Sequence, residues 1–298
     1  MRLITDSDIE GLRISPSQCV EWVREALLYK DRANLPPKTW QHFPGDIYIN
    51  TMPCVVMALG RYGVKVVSRH PKHNPSLHST MLLIDMTHGE CLACLDANWI
   101  TAMRTGAIEA LAGKLLVNDF SKAAVGFVGL GNMARATFEC LQAQFETHHD
   151  VWLLKYKQQH FDFAQRYADV NNVTFHFANS RQELVERTDL LYSCVTVMNE
   201  QFLPADRYPA GYTVIPVHMR GFQECDRVFD KIVCDDRGHV KDFKYYSEFK
   251  ELTELSEILQ GRACGRANSN ERILCYNIGM GLLDLWFASK IYDMIVKG

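Results

Sequence analysis

The sequence predicts an α/β protein in which a doubly wound parallel sheet is inserted into a second, α+β domain built from both chain ends. Three observations carry this. From Lys122 onward, apolar runs alternate with amphipathic helices, the pattern of strands buried on both faces. One strand-to-helix junction reads Gly129-x-Gly131-x-x-Ala134. More than a hundred residues of different rhythm precede that turn, and a long apolar helix closes the chain.

The elements follow in order. "SPSQCVEWVREALLYKDRA" carries Val20, Val23, Ala26 and Leu27 at helical spacing, with Ser15 or Ser17 as cap. "DIYINTMPCVVMAL", "YGVKVVSRH" and "STMLLIDMTHGECLACLD" read as strands, the last as a hairpin turning at Thr87-His88-Gly89. "NWITAMRTGAIEALAGKLL" reads as a helix whose small residues Ala102, Thr105, Gly106, Ala107 and Ala110 admit close approach of a backbone or ligand. Then "AAVGFVGL", "DVWLLK", "VTFHFA", "LLYSCVTV", "YTVIPVH" and "RVFDKIVCDD" are strands, with helices at "NMARATFECLQAQF" and "QHFDFAQRYADV". "CYNIGMGLLDLWFASKIYDMIV" reads as a helix that leaves the sheet domain. The expected division is 1–114 with 268–298 for one domain and 115–267 for the nucleotide-binding one.

Composition narrows the function classes. The chain has 298 residues, 47% apolar and 22% charged, which suits two folded domains rather than disorder. A net charge of -3 without a basic block gives no footprint for nucleic acid. The opening "MRLITDSDIEG" has no long apolar segment, so no signal peptide is expected and the cytoplasm is. The late apolar stretch is interrupted by Asp284, Lys290 and Asp293 and is too short and charged to span a bilayer. The 10 cysteines lack framework spacing and read as reduced thiols; Cys91 and Cys94 form a lone pair best taken as two thiols on a strand.

The glycine turn has a chemical rationale. Its first glycine permits the tight turn, its second lets the backbone approach a pyrophosphate at the helix N-terminus, and Ala134 is small enough for helix–strand packing. With a strand before it, a helix after it and a second strand about twenty residues on, it predicts a Rossmann-type site for NAD or NADP. The second strand ends in Lys155, with Lys157 close by, where an acidic residue usually meets the ribose hydroxyls. Lysine there suits a 2'-phosphate, but NAD held through other contacts stays open.

"YGVKVVSRHPKHNPSLHSTMLLIDMTHGECLACLDANWITAMRTGAIEALAGKLL", "GFVGLGNMA", "ELVERTDLLYSCVTV" and "YNIGMGLLDL" together resemble the ornithine cyclodeaminase/μ-crystallin family along nearly the whole chain. The resemblance implies that the residues before the glycine turn form a substrate-binding and dimerising domain, hence a homodimer. It implies that Lys65 and Arg104 face a substrate carboxylate or the reacting nitrogen, and that Lys38 stands where relatives carry an arginine for the same carboxylate. Thr105 would lie beside the cofactor phosphates. The remaining cofactor-contacting residues expected are Gly129, Gly131, Asn132, Met133, Lys155, Thr196, Val197, His218 and Asn277. Chemistry agrees: cations grip a carboxylate, and a buried lysine near other positive charge sheds its proton readily enough to act as acid or base.

The segment "TVIPVHMRGFQECD" departs from the family pattern. Aligned on Gly221 and Glu224, His218 replaces the aspartate of true ornithine cyclodeaminases and Phe222 the lysine. "VHMRGF" resembles instead relatives that make 2,3-diaminopropionate for siderophores, with Arg220 for a second carboxylate or the cofactor end of the pocket, and His218 as a proton shuttle or a histidine that packs and hydrogen-bonds at a strand end. The implied activity is NAD(P)-dependent oxidoreduction at a C–N bond of an amino-acid-derived imine or secondary amine. Cyclodeamination of ornithine or lysine with recycled NAD is the alternative, and a non-catalytic cofactor- or ligand-binding protein is the alternative of another class. His70, His73 and His78 share a loop whose prolines forbid a helical metal pair; they read as residues shaping a loop over the substrate, and no metal is expected. Asn277 caps the last helix, touches the nicotinamide, or both.

Overall fold

Alternation of apolar and polar residues builds one sheet, and unbroken apolar strands build another. The computed structural model describes residues 1–195 and 198–297. The chain divides into two compact units, Met1–Arg104 with Gly279–Gly298, and Thr105–Ile278.

The first unit holds a six-stranded sheet of β1 (Arg2–Ile4), β2 (Thr39–Phe43), β3 (Ile47–Val56), β4 (Arg61–Arg69), β5 (Leu77–Asp85) and β6 (Cys91–Asp96), in the order β1-β6-β5-β4-β3-β2. Only β1 pairs in parallel. One face is buried at Met52, Cys54, Val56, Gly63, Lys65, Val67, Met81, Leu83, Ala93 and Leu95. The helix Gly281–Lys297 packs on β3, β4 and β5, and also on the helix Pro16–Tyr29, which Ser15 caps. Lys65 belongs to the buried set because register forces it: it pairs with Met52 on one side and Met81 on the other. A slip of one residue would turn it to the opposite face.

The second unit holds eight parallel strands: β7 (Val125–Val128), β8 (His149–Leu154), β9 (Val173–Ala178), β10 (Leu190–Ser193), β11 (Thr213–Pro216), β12 (Lys231–Cys234), β13 (Leu252–Glu254) and β14 (Ile273–Tyr276). Their order is β13-β12-β14-β11-β10-β7-β8-β9. The chain winds outward from β7 to β9, then restarts at β10 on the other side of β7. This reversal opens a crevice between the carboxyl ends of β7 and β10. Five central strands, β7, β10, β11, β12 and β14, are buried at every residue, as a sheet covered on both faces requires. The fold is thus the expected α/β architecture with a doubly wound parallel sheet.

Two local readings are corrected. Cys275 and Tyr276 end strand β14 rather than begin the last helix, which starts at Gly281. The β-rich Ile273–Tyr276 run finds partners on both sides in β11 and β12, and Gly279, at φ +97°, turns the chain before the helix. "RVFDKIVCDD" is a strand only at Lys231–Cys234; Cys225–Val228 is a helical turn.

Candidate functional site

The first unit concentrates charge where its sheet is otherwise apolar. Lys65 is fully buried, and its Nζ donates to Asp284 Oδ1 at 2.5 Å and to Thr101 Oγ1 at 3.4 Å. Arg104 Nε donates to the same Asp284 oxygen at 3.2 Å. Thr101 in turn donates to Ser79 Oγ at 3.0 Å. Lys38 Nζ reaches the Gly279 carbonyl at 3.4 Å and lies 4.9 Å from the centre of the Trp40 ring. Gly279 is needed on two counts: its φ is positive, and a Cβ there would sit 2.9 Å from Arg104 Nη1. The structure therefore brings Lys65 and Arg104 together on a single carboxylate, Asp284, whose Oδ2 has no hydrogen-bond partner, while Lys38 reaches the Gly279 carbonyl.

Basic side chains gathered in this way have the chemistry to meet an anion. The same crowding acts on Lys65. Burial above all, then the Arg104 guanidinium, push its ammonium down to about 7, against the pull of Asp284. An amine poised near neutrality can give or take a proton in turnover.

The second unit carries the glycine turn between β7 and the helix Asn132–Gln142. Gly129 stands at φ +76°, and a Cβ there would lie 2.7 Å from the Val195 nitrogen. Around Gly131 the space a Cβ would occupy is open, and Gly131 caps the helix Asn132–Gln142 without a side-chain bond. The first-turn amides of that helix thus face a site where a pyrophosphate fits. Asn132 and Met133 form this first turn, Ala134 is buried, and Gly106 lets the helix Asn98–Leu116 approach the Ala136 backbone, since a Cβ would lie 2.3 Å from it. Thr105 is buried in that same helix. Lys155 directly follows β8 and donates to Asn179 Oδ1 at 2.6 Å. Thr196 and Val197 lie outside the described residues.

His218 Nδ1 accepts from the Arg220 amide at 3.3 Å, so Nε2 carries the proton toward Ser193 Oγ, 2.8 Å away. Burial first, and Arg220 second, push the imidazole down to about 4. With its imidazole held down in this way, His218 serves as a hydrogen-bonding group between Ser193 and the Arg220 amide. Arg220 is exposed, and Phe222 is buried with its ring stacked on Phe202 at 5.6 Å, a packing role with no amine to offer.

Asn277 does not cap the last helix. It follows β14 directly, and its Nδ2 donates to Glu109 Oε2 at 2.9 Å. The rings of His73 and His78 lie 5.9 and 6.4 Å from that of His70, and among the described residues no group of three or more His, Cys, Asp or Glu side chains is placed to hold a metal ion. Cys91 and Cys94 are free thiols on β6.

Sequence reasoning missed Asp284 and Glu109. Both are ionisable residues inside apolar runs, "GLLDLWF" and "AIEALAG". Such residues are rarely buried without a partner, so each was a sign of a buried polar contact.

Comparison with known proteins gives a consistent set of relatives. A sequence model described as the ornithine cyclodeaminase/mu-crystallin family matches residues 2–215. The solved structure of Thermococcus litoralis Delta(1)-pyrroline-2-carboxylate reductase, in complex with NADH and L-proline, is similar at a TM-score of 0.88 and 26% identity, covering 100% of this chain and 98% of that one. Ketimine reductase mu-crystallin of Mus musculus is 29% identical over 267 residues, 84% of this chain and 82% of the relative. Delta(1)-pyrroline-2-carboxylate reductase of Bacillus cereus is 22% identical over 264 residues, 83% of this chain and 81% of the relative.

Proposed function

Because the chain belongs to the ornithine cyclodeaminase/mu-crystallin family, we propose that it is an NAD(P)-dependent oxidoreductase that reduces the C=N bond of an amino-acid-derived imine. The observation that carries this reading is the buried Lys65–Asp284–Arg104 cluster beside Lys38. Its basic groups suit the carboxylate of an imino acid, which Arg104 and Lys38 would hold. Lys65 would deliver the proton that the substrate nitrogen needs, and retrieve it in the reverse direction. Asp284 keeps that proton on Lys65 and orients the ammonium. The Gly129–Gly131 turn would hold the dinucleotide, whose chemistry when bound is hydride transfer to the imine carbon; with the Lys65 proton on nitrogen the product would be the amine.

Named relatives support the substrate class, since two are reductases of a cyclic imino acid and one a ketimine reductase. Cyclodeamination is disfavoured by the neutral His218 and the packed Phe222, neither of which can receive a distal ammonium by charge. The test is to mix the protein with Delta(1)-pyrroline-2-carboxylate and open-chain imines formed from 2-oxo acids and amines. Nicotinamide absorbance and ammonia release are followed together. Net loss of reduced cofactor supports the proposal; ammonia release at constant absorbance overturns it in favour of cyclodeamination.

Assembly and location belong to the same reading. β2 is an edge strand exposed along its length and carries Trp40 and Phe43, a strip that a second copy would cover. No disulfide links cysteines among the described residues, a state that a reducing cytoplasm would keep. A monomeric mass by light scattering would remove the homodimer.

A further inference from the structure

Asn50, on β3 of the first unit, takes no part in the chemistry above. It is 5% exposed, and its Oδ1 has no hydrogen-bond partner among the described residues. A carboxamide oxygen buried in that way costs stability unless something meets it. The sheet itself does not ask for a polar residue here. β3 pairs with β2 and β4 through its main chain, and the next residues on the same face, Met52 and Cys54, are apolar.

Strand register says what surrounds it, because residues opposite one another in an antiparallel pair share a face. Asn50 stands opposite Val67 of β4, and the adjoining pair on that face is Met52 and Lys65. Lys65 is thus a diagonal neighbour of Asn50, about 7–8 Å away between main chains. Toward the sheet edge, Asn50 stands opposite Trp40 of β2, and Lys38 comes two residues before Trp40. Asn50 therefore lies between the lysine that would hold the carboxylate and the lysine that would pass the proton. One pair further along the same face is Tyr48 with Arg69. Arg69 Nη1 donates to the Asp46 carbonyl at 3.2 Å, but its Nε is buried with no partner among the described residues.

We infer that Asn50 is a specificity-determining residue, selecting an imino acid whose substituent carries a hydroxyl or carboxamide group. The inference rests on the imine-reductase reading above and deepens it by naming the substrate class. With the substrate carboxylate and nitrogen met by basic side chains, two buried groups on this sheet face are still unmet: an acceptor, Asn50 Oδ1, and a donor, Arg69 Nε. A hydroxyl or a carboxamide both donates and accepts, so one such group answers both. An ammonium cannot accept, and an ionised second carboxylate cannot donate. An aliphatic substituent leaves both unpaired, and a site built to hydrogen-bond its substrate discriminates most strongly against that kind of analogue.

The test compares matched imines as substrates of the full-length protein, followed by loss of reduced dinucleotide. The open-chain pair is the methylamine imine of hydroxypyruvate against that of 2-oxobutyrate, which differ by a hydroxyl in place of a methyl. The cyclic pair is 4-hydroxy-Delta(1)-pyrroline-2-carboxylate against Delta(1)-pyrroline-2-carboxylate. In wild type, kcat/KM for the hydroxyl-bearing member of at least one pair should be higher by about tenfold or more. Asn50→Leu keeps the size and removes the acceptor, so that ratio should fall by about tenfold. The same variant should raise the thermal midpoint of the protein without ligand, because it removes an unmet polar group. An unchanged ratio in Asn50→Leu overturns the inference, and a lowered midpoint with it would mark a merely structural asparagine. A wild type without preference for the hydroxyl in either pair also overturns it, a measurement that stands even if the variant does not fold. If wild type reduces no imine at all, the proposed function falls and this inference with it; if it reduces both members of each pair equally, only the role of Asn50 falls.

Discussion

Asp284→Asn isolates the electrostatic part of the Lys65 arrangement. The substitution keeps the shape and the oxygen that faces Lys65 Nζ at 2.5 Å, and removes the charge. At that separation, with an effective dielectric of about 20, the gross attraction is about 7 kcal/mol, a ceiling that the retained amide dipole and relaxation cut down. Removing an opposite charge within contact typically moves a pKa by about 1–3 units. Lys65 stands at about 7 in the native protein. Without Asp284 its ammonium should therefore titrate between about 4 and 6. At pH 7.5 the protonated fraction would fall from about a quarter to about 3% or less. A stronger acid donates more readily and recovers part of that loss, so reductive kcat/KM at pH 7.5 is expected to drop about tenfold to a hundredfold. The assay is the pH profile of kcat/KM in the reductive direction for wild type and variant. The limb near 7 should move to lower pH, and much of the lost rate should return in acid. A uniformly lower profile with the limb still near 7 would show that Asp284 does not set the Lys65 proton, and the argument would fail.

Four further outcomes follow from the same structure. In the wild type, reductive kcat/KM should fall and oxidative kcat/KM should rise as pH increases through about 7, because the lysine is acid in one direction and base in the other. Gly131→Val fills the open space above the first turn of the Asn132–Gln142 helix and should abolish dinucleotide binding by calorimetry while the circular dichroism spectrum holds. Lys155→Glu places an acid at the end of β8 and should shift the ratio of Kd for NADPH to Kd for NADH upward by about tenfold or more, the size of one lost charge-assisted contact. Asp226 is buried against Tyr276 Oη, and burial raises its carboxyl to about 7. The folded state thus holds this proton more tightly than the unfolded one, and stability declines as pH rises from about 4 to 7. Asp226→Asn should therefore raise the thermal midpoint, and by more at pH 8 than at pH 5, with a free-energy gain that grows by about 3 kcal/mol over that interval.

What could be read from the sequence divides along a physical line. The dinucleotide turn was legible because its chemistry is local: Gly129, Gly131 and Ala134 act within six residues, and the strand before and helix after are visible in the same window. The central strands were legible because burial on both faces writes unbroken apolar runs. The short edges β1, β2 and β13 were not, since three to five residues are too few to leave a periodic signal. The β14 strand was mistaken for helix because Ile273–Tyr276 runs into the apolar helix that follows, and only the two neighbouring strands decide the matter.

The cationic site shows why partner choice escapes a linear reading. Lys65 was singled out from its apolar surroundings and its resemblance to relatives, but the group that holds its proton is Asp284, 219 residues away in sequence. Four constraints must hold at once for that contact. The β4 register must turn Lys65 inward between Met52 and Met81, and Gly63 must stay bare so that Leu285 and the Leu82 carbonyl can close over the strand. Gly281 must let the last helix lie against the Met52 and Pro53 carbonyls, and Gly279 must make room for Arg104. Each glycine was visible in the sequence, yet each is demanded by an atom from elsewhere in the chain. The lowered pKa of Lys65 is therefore a property of packing: the helix sets the Asp284 distance, the sheet sets the desolvation, and together they hold the amine near 7. A substitution such as Gly63→Ala, far from any substrate atom, is accordingly expected to lower reductive kcat and move the pH limb, whereas a purely local view of Lys65 expects neither.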